Sequence, residues 1–481
     1  MHSPPPGSAS ASSMASRVLP DAVGPISTRI GGASGTMFSN DENLLACEQG
    51  IIIIINTNPT RKMPEVGDLL PAARTMMTFK TIDDVDVRGK RVLMRVDFNV
   101  PMSSNGRIDD DFRIRHALPS IRSVLSRGGR LVLLSHLGRP SGNGSEPSLS
   151  LAPLARHLGE LLGSDAPRGV GFPSTDCLDA ESVQAVSELV DGDVMLLENL
   201  RFNQGETSDS TEFAQALAQL GDVYCNDAFG CCHRAHASVH ALPRAMSDRP
   251  RVIGLLVADE MRYLGQALET PKRPFVAILG GSKVSDKIGA LKNLIGNVDT
   301  LLVGGAMAYT LMKVMGQNVG SSLVEDDKLD LAREIIQMVD ASATDLVLPV
   351  DHICGRELSH GSPVRVSDQD IPDGWMGLDI GPDTTARFTS VVRKAQTVVW
   401  NGPLGAFETV PFDVGTRQVA VSMASCAENG GLSIVGGGDT AAAVLLAGVS
   451  QRMSHVSTGG GASLRLLEGE KLVGLSCLEE T

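Results

Sequence analysis

The feature that most constrains this chain is a series of short, continuous apolar runs separated by helical patterns. From Phe79 onward they include Val92-Leu93-Met94-Arg95-Val96, Leu131-Val132-Leu133-Leu134, Val194-Met195-Leu196-Leu197 and Asp222-Val223-Tyr224. A second series follows: Phe275-Val276-Ala277-Ile278-Leu279, Leu301-Leu302-Val303, Leu346-Val347-Leu348, Val398-Val399-Trp400 and Leu432 to Val435. Strands that are apolar on both faces and alternate with helices belong to parallel sheets covered on both sides. Two such series predict an α/β protein with two doubly wound, Rossmann-like domains. Residues 255–268, with Glu260 and Arg262 among apolar neighbours, read as a helix joining them.

At 481 residues the chain is too long for one core. A first domain is expected over 77–254, a second over 269–462, and a C-terminal segment over 463–481. Residues 1–40 are dominated by Ser, Pro, Gly and Ala without period, so 1–76 read as a disordered, dispensable extension. The alternative is an organellar transit peptide, for which Arg17 and Arg29 are thin support. The isoleucines at 51–55 are far too few for a membrane helix, which needs about 20 apolar residues. A net charge of −14 argues against a nucleic-acid groove. The 8 cysteines show no framework spacing, which points to free thiols in a reducing compartment. The expectation is a cytoplasmic monomer with no membrane and no nucleic-acid partner.

In open α/β sheets, ligands sit beyond the carboxyl ends of the strands. The loops at those ends are rich in chemistry. Asp97-Phe98-Asn99, His136-Leu137-Gly138-Arg139, Arg201 and Arg234 follow the strands of the first series, and Arg113 opens a helix carrying Ile114, Leu118 and Ile121. Arginines and a histidine from separate loops suit one small polyanion, because a guanidinium fork matches phosphate and carboxylate oxygens. In the second series, Gly436-Gly437-Gly438-Asp439-Thr440 reads as strand, glycine turn and helix start. Such a turn lets backbone N–H groups approach a phosphate, and Asp439 is a hard oxygen ligand suited to Mg²⁺. The plainer reading is that Asp439 only caps the helix. Gly280-Gly281-Ser282-Lys283 repeats the pattern. Lys283 and Lys287, four apart, are expected on one side of a helix's first turn, where two ammonium groups require an anion. The Walker A spacing is absent.

Together these segments resemble the phosphoglycerate kinase family over about residues 79–480. RVDFNVP at 95–101, SHLGRP at 135–140, ENLRF at 198–202 and NDAFG…HRAH at 226–236 are similar to its substrate-domain motifs. GGSKVSDK at 280–287, WNGPLGAFE at 400–408, GGGDT at 436–440 and STGGGA at 457–462 are similar to its nucleotide-domain motifs. The resemblance implies reversible phosphoryl transfer from 1,3-bisphosphoglycerate to ADP, giving 3-phosphoglycerate and ATP with Mg²⁺. It implies triose contacts from Asp97, Phe98, Asn99, Arg113, His136, Leu137, Gly138, Arg139, Arg201 and Arg234. It implies nucleotide contacts from Lys287, Asn401, Glu408, Gly437, Gly438, Asp439 and Thr440, with Asp439 toward the metal and Glu408 toward the ribose. Arg113, Lys283 and Lys287 would act on the phosphoryl group in flight.

Two departures stand out. Cys231-Cys232 replaces small non-thiol residues, and Ala306 follows Gly304-Gly305 where a third glycine is usual. A zinc site built from Cys231, Cys232, His233, His236 and His240 is disfavoured, since adjacent cysteines serve one tetrahedral ion poorly; buried thiols are expected. The competing reading is a nucleotide-binding scaffold without turnover. Loss of Lys287, Asp439 or Arg113 would be its sign, and all are present.

Overall fold

The computed structural model describes residues 79–103 and 105–479. The expectations for 1–76, Cys47 and the isoleucine block lie outside the described residues. The apolar runs form strands. In the first half these are β1 (Arg91–Val96), β2 (Arg130–Leu134), β3 (Val170–Gly171), β4 (Val194–Leu196), β5 (Val223–Asp227) and β6 (Arg251–Ile253). The second half begins with β7 (Phe275–Leu279), β8 (Thr300–Val303) and β9 (Asp345–Val347). It continues through β10 (His352–Gly355), β11 (Val364–Ser367) and β12 (Met376–Ile380) to β13 (Thr397–Asn401), β14 (Leu432–Gly436) and β15 (His455–Val456).

Two 6-stranded sheets result, ordered β6-β5-β1-β2-β4-β3 and β9-β8-β7-β13-β14-β15. Every pairing within them is parallel. The winding reverses between β1 and β5 in the first sheet and between β7 and β13 in the second. Those are the crevices where such sheets hold ligands.

Burial explains why the runs are continuous rather than alternating. Val92, Met94 and Val96 pack with Ile114, Leu118 and Ile121 of the helix Phe112–Ser126. Leu93 and Val132 face the opposite side of the sheet. In the second sheet Val276, Ile278 and Trp400 meet Phe388 and Val419 of the helices Pro382–Lys394 and Val414–Glu428. Ala277 and Leu279 join the same apolar layer as Leu93, so one core continues from sheet to sheet.

The helix Leu255–Glu269 carries that layer across, burying Val257, Glu260, Leu264 and Ala267 along one stripe. Its start is fixed by Asp227 at the end of β5, whose Oδ1 accepts the Leu256 and Val257 N–H groups at 3.0 and 3.4 Å. Glu260, fully buried, accepts from His455 Nε2 at 2.7 Å and from Thr458 N and Oγ1 at 2.7 and 2.8 Å. The joining helix is thus attached to the first sheet at its start and, from Glu260 within its first half, to the loop after β15. The helix Gly460–Leu467 follows that loop and spans positions 462 and 463. The last segment turns back toward the first sheet, where Gly474 N donates to Cys232 O at 2.9 Å.

Two sequence expectations need correction. The antiparallel set β11-β10-β12 and the short strands β3, β6 and β15 escape the pattern reading. β11 is exposed at most positions, β3, β6 and β15 span three residues or fewer, and β10 and β12 span only four and five, so none leaves a usable period. The second correction concerns Lys283 and Lys287, which do not share a first helical turn. A 3₁₀ turn at Ser285–Lys287 precedes the α-helix Ile288–Leu294, leaving Lys283 exposed ahead of both.

Candidate active site

At the first crevice, β1 delivers Asp97, Phe98 and Asn99 beside the start of the helix Phe112–Ser126. Arg113 stands 3.2 Å from Asp97 Oδ2 and donates to the Asn99 carbonyl at 2.8 Å. Asn99 Oδ1 in turn accepts from Gly138 N at 2.9 Å, and Arg201 donates to Gly138 O at 2.7 Å. Asp97, Asn99, Arg113, Gly138 and Arg201 therefore form one connected set with His136, whose Nδ1 lies 3.9 Å from Asp97 Oδ1. Arg139 and Arg234 are exposed at its margin, and Arg234 Nε meets His233 Nε2 at 3.1 Å. The Phe98 and Leu137 side chains are buried in the core, and their backbone is tied internally: Phe98 N donates to Ser135 Oγ at 3.0 Å and Leu137 O accepts from Asn199 Nδ2 at 2.8 Å.

Sequence reading missed Arg95. It is fully buried, with Nε donating to Ser238 Oγ at 2.8 Å and Nη2 lying 3.0 Å from His136 Nδ1 and 3.9 Å from Glu206 Oε1. Glu206 also accepts from Ser238 N and Oγ at 2.9 and 2.7 Å. A buried guanidinium persists only when paired and hydrogen-bonded. The available signal was a charged residue inside an otherwise apolar strand. Glu206 and Ser238 leave no such sign, since their meeting depends on tertiary structure.

The set is electropositive. Burial, then Arg95, Arg201, His236 and Arg113, hold the His136 ring well below its usual pKa. His236 falls to about 4 through burial and the neighbouring Arg201, Arg95 and Arg234. Burial also lowers Arg201, with Arg95 and Arg234 adding to the effect. Cationic groups that suppress one another's protonation suit an anionic ligand.

Cys231 and Cys232 are buried free thiols, as expected. Cys231 groups with Asp97 and His136, not with His233 or His240. Burial raises that thiol to about 11. Arg95 Nη2 lies 3.6 Å from its sulfur, an environment hostile to a metal cation.

At the second crevice the turns after β7 and β13 pack backbone against backbone. A Cβ on Gly280 would stand 2.1 Å from Pro403 O, so only glycine fits there. Lys287 Nζ donates to Asn401 Oδ1. Burial lowers the Lys287 ammonium, while Asp286, Asp439 and Glu468 oppose that shift. Gly437, at φ +94°, starts the helix Gly438–Leu446, leaving Gly438 and Asp439 exposed in its first turn. The N-cap position is Gly437 and Asp439 lies inside the first turn, so Asp439 is not the capping residue of the plainer reading. Thr440, buried, accepts from Gly402 N at 2.7 Å. Glu408 is exposed on the loop after β13.

A single glycine run touches both crevices. A Cβ on Gly459 would meet Phe229 Cδ1 at 2.3 Å, and one on Gly461 would meet His233 Nε2 at 2.8 Å. One on Gly460 would stand 3.4 Å from Gly438 N. By contrast, a cavity of about 640 Å³ lined by Met261, Leu268, Leu472 and Leu475 contains none of the expected site residues.

A basic crevice and a glycine-turn crevice, on two doubly wound sheets joined by a helix, define a two-domain phosphotransferase. The family model described as phosphoglycerate kinase matches residues 82–470. This chain belongs to the phosphoglycerate kinase family. It is 51% identical over 407 residues to the phosphoglycerate kinase of Rhodopirellula baltica, covering 84% of this chain and 100% of the relative. It is 50% identical over 406 residues to that of Anaeromyxobacter sp. (strain K), with coverages of 84% and 100%. Among solved structures, phosphoglycerate kinase from Coxiella burnetii superposes with a TM-score of 0.74 at 39% identity, covering 83% of this chain and 99% of that one. The Pyrococcus horikoshii OT3 enzyme gives 0.72 at 28%, with coverages of 83% and 98%.

Proposed function

We propose that the two crevices are the half-sites of one reaction, reversible transfer of a phosphoryl group between 1,3-bisphosphoglycerate and ADP. The observation that carries this reading is the glycine run at 459–461, which lies against Phe229 and His233 on one side and Gly438 on the other. Asp97, Asn99, His136, Arg139, Arg201 and Arg234 would hold the triose carboxylate and phosphates. Lys287, Asn401, Gly437, Gly438 and Thr440 would hold nucleotide phosphates, and Glu408 would meet the ribose.

In the ATP-forming direction, a β-phosphate oxygen of ADP attacks the acyl phosphorus and the 3-phosphoglycerate carboxylate leaves. Attacking and leaving oxygens are both anionic, so no general base is needed. That agrees with a His136 ring kept neutral by its surroundings. The residues' work is in-line positioning and charge stabilisation. Arg113, oriented by Asp97 and Asn99, and Lys283 and Lys287 would face the phosphoryl oxygens.

Asp439 fits a metal role: it is a single exposed carboxylate at a phosphate-binding helix start, and Mg²⁺ commonly takes one or two carboxylates plus substrate oxygens. Bound there with nucleotide, Mg²⁺ would supply charge neutralisation.

Reacting atoms must come within about 3.5 Å in a water-poor site. Substrates on separate sheets meet that demand through a hinge motion around the helix Leu255–Glu269. A coupled assay with 3-phosphoglycerate and MgATP tests the reading. Turnover requiring all three components supports it, and no turnover by folded protein refutes it.

A further inference from the structure

Asp379, at the end of β12, is 1% exposed and has no cation partner among the described residues. Its Oδ2 accepts from Gly415 N at 2.7 Å, and its Oδ1 accepts from its neighbour Ile380 N at 2.9 Å. Gly405 presses on the same group, since a Cβ there would stand 2.3 Å from Oδ1. Gly405 and Gly415 bracket the excursion after β13 that carries Glu408. The excursion is tied down further by Ala406 N to Leu378 O at 2.8 Å and Leu404 N to Thr416 Oγ1 at 3.1 Å.

A buried carboxyl without a cation is an expensive way to fill a core; apolar side chains of similar volume usually serve at least as well. Burial pushes this carboxyl up to about 8, against the pull of the Gly415 and Ile380 amides. Its neighbours offer a reason for keeping it. It is in contact with both ends of one loop, and the amide of Gly415 also lies at the start of the helix Val414–Glu428.

We propose that Asp379 is a positioning residue for the nucleotide: by clamping Gly405 and Gly415 it fixes where Glu408 meets the ribose hydroxyls. This rests on the assignment of Glu408 to the ribose. Asp379 touches no substrate and acts through the loop alone. Loosening the clamp therefore leaves the triose crevice intact and blurs recognition of the sugar.

The test compares Asp379→Asn, Gly405→Ala and Glu408→Ala in the full chain, using kcat/KM for ATP and for 3′-deoxy-ATP. Gly405→Ala strains the same contact from the loop side and guards against poor folding of the Asp379 variant. The expected result is that all three variants lose most of the ATP preference, while KM for 3-phosphoglycerate stays within about twofold. Amide exchange at Ala406 and Gly415 should rise in Asp379→Asn. Wild-type preference in Asp379→Asn and Gly405→Ala, beside a loss in Glu408→Ala, overturns the positioning role. If Glu408→Ala keeps the preference, the ribose assignment fails, and unchanged amide exchange in Asp379→Asn then refutes the clamp itself.

Discussion

The guanidinium of Arg113 stands 3.2 Å from the carboxylate of Asp97 and is held by the Asn99 carbonyl at 2.8 Å. The pair aims a permanent positive charge into the basic crevice before any substrate arrives. Removing one preorganised charge-stabilising group typically costs about 10²–10³ in turnover. Arg113→Ala should lower kcat by about that factor, while the Kd for MgATP, proposed to bind at the other sheet, changes less than about twofold. Steady-state kinetics with a nucleotide titration separates the two. An unchanged kcat removes Arg113 from the transfer step.

The histidines of the basic crevice set an acid limit on stability. His236 titrates near pH 4 in the folded protein, and His136 also lies well below the ordinary value of 6.5. The unfolded chain binds these protons first, so stability falls as pH drops from about 6.5 toward 4. His236→Asn should flatten that fall while leaving stability near pH 8 almost unchanged. Urea midpoints measured across pH 4–8 check this, and parallel curves for the two proteins would contradict it.

Residues before the family match contribute little to the enzyme by this account. The relatives align over their full length to 84% of this chain, and the matched family region starts at 82. A chain beginning at Met77 should keep both its Tm and its kcat. Calorimetry and the coupled assay are sufficient, and a clear drop in either shows that 1–76 serve the catalytic unit.

Both six-stranded sheets were largely legible because their strands are buried on both faces, as at Val92 to Val96 and Phe275 to Leu279. The glycine turns were legible because their backbone contacts exclude other residues, as at Gly280. Long-range polar pairing was not. Nothing local announces that Arg95, Glu206 and Ser238 converge under His136, or that Asp379 reaches Gly415. The placement of Lys283 and Lys287 was not legible because a 3₁₀ turn of 3 residues is too short to display its own period before the α-helix it precedes.

The two proposed half-sites on separate sheets should become one site when the domains close. Small-angle scattering of the protein alone, with 3-phosphoglycerate, with a nonhydrolysable MgATP analogue, and with both ligands tests it most directly. The radius of gyration should be smaller with both ligands than with either alone. Identical scattering for the free and doubly liganded protein would contradict it.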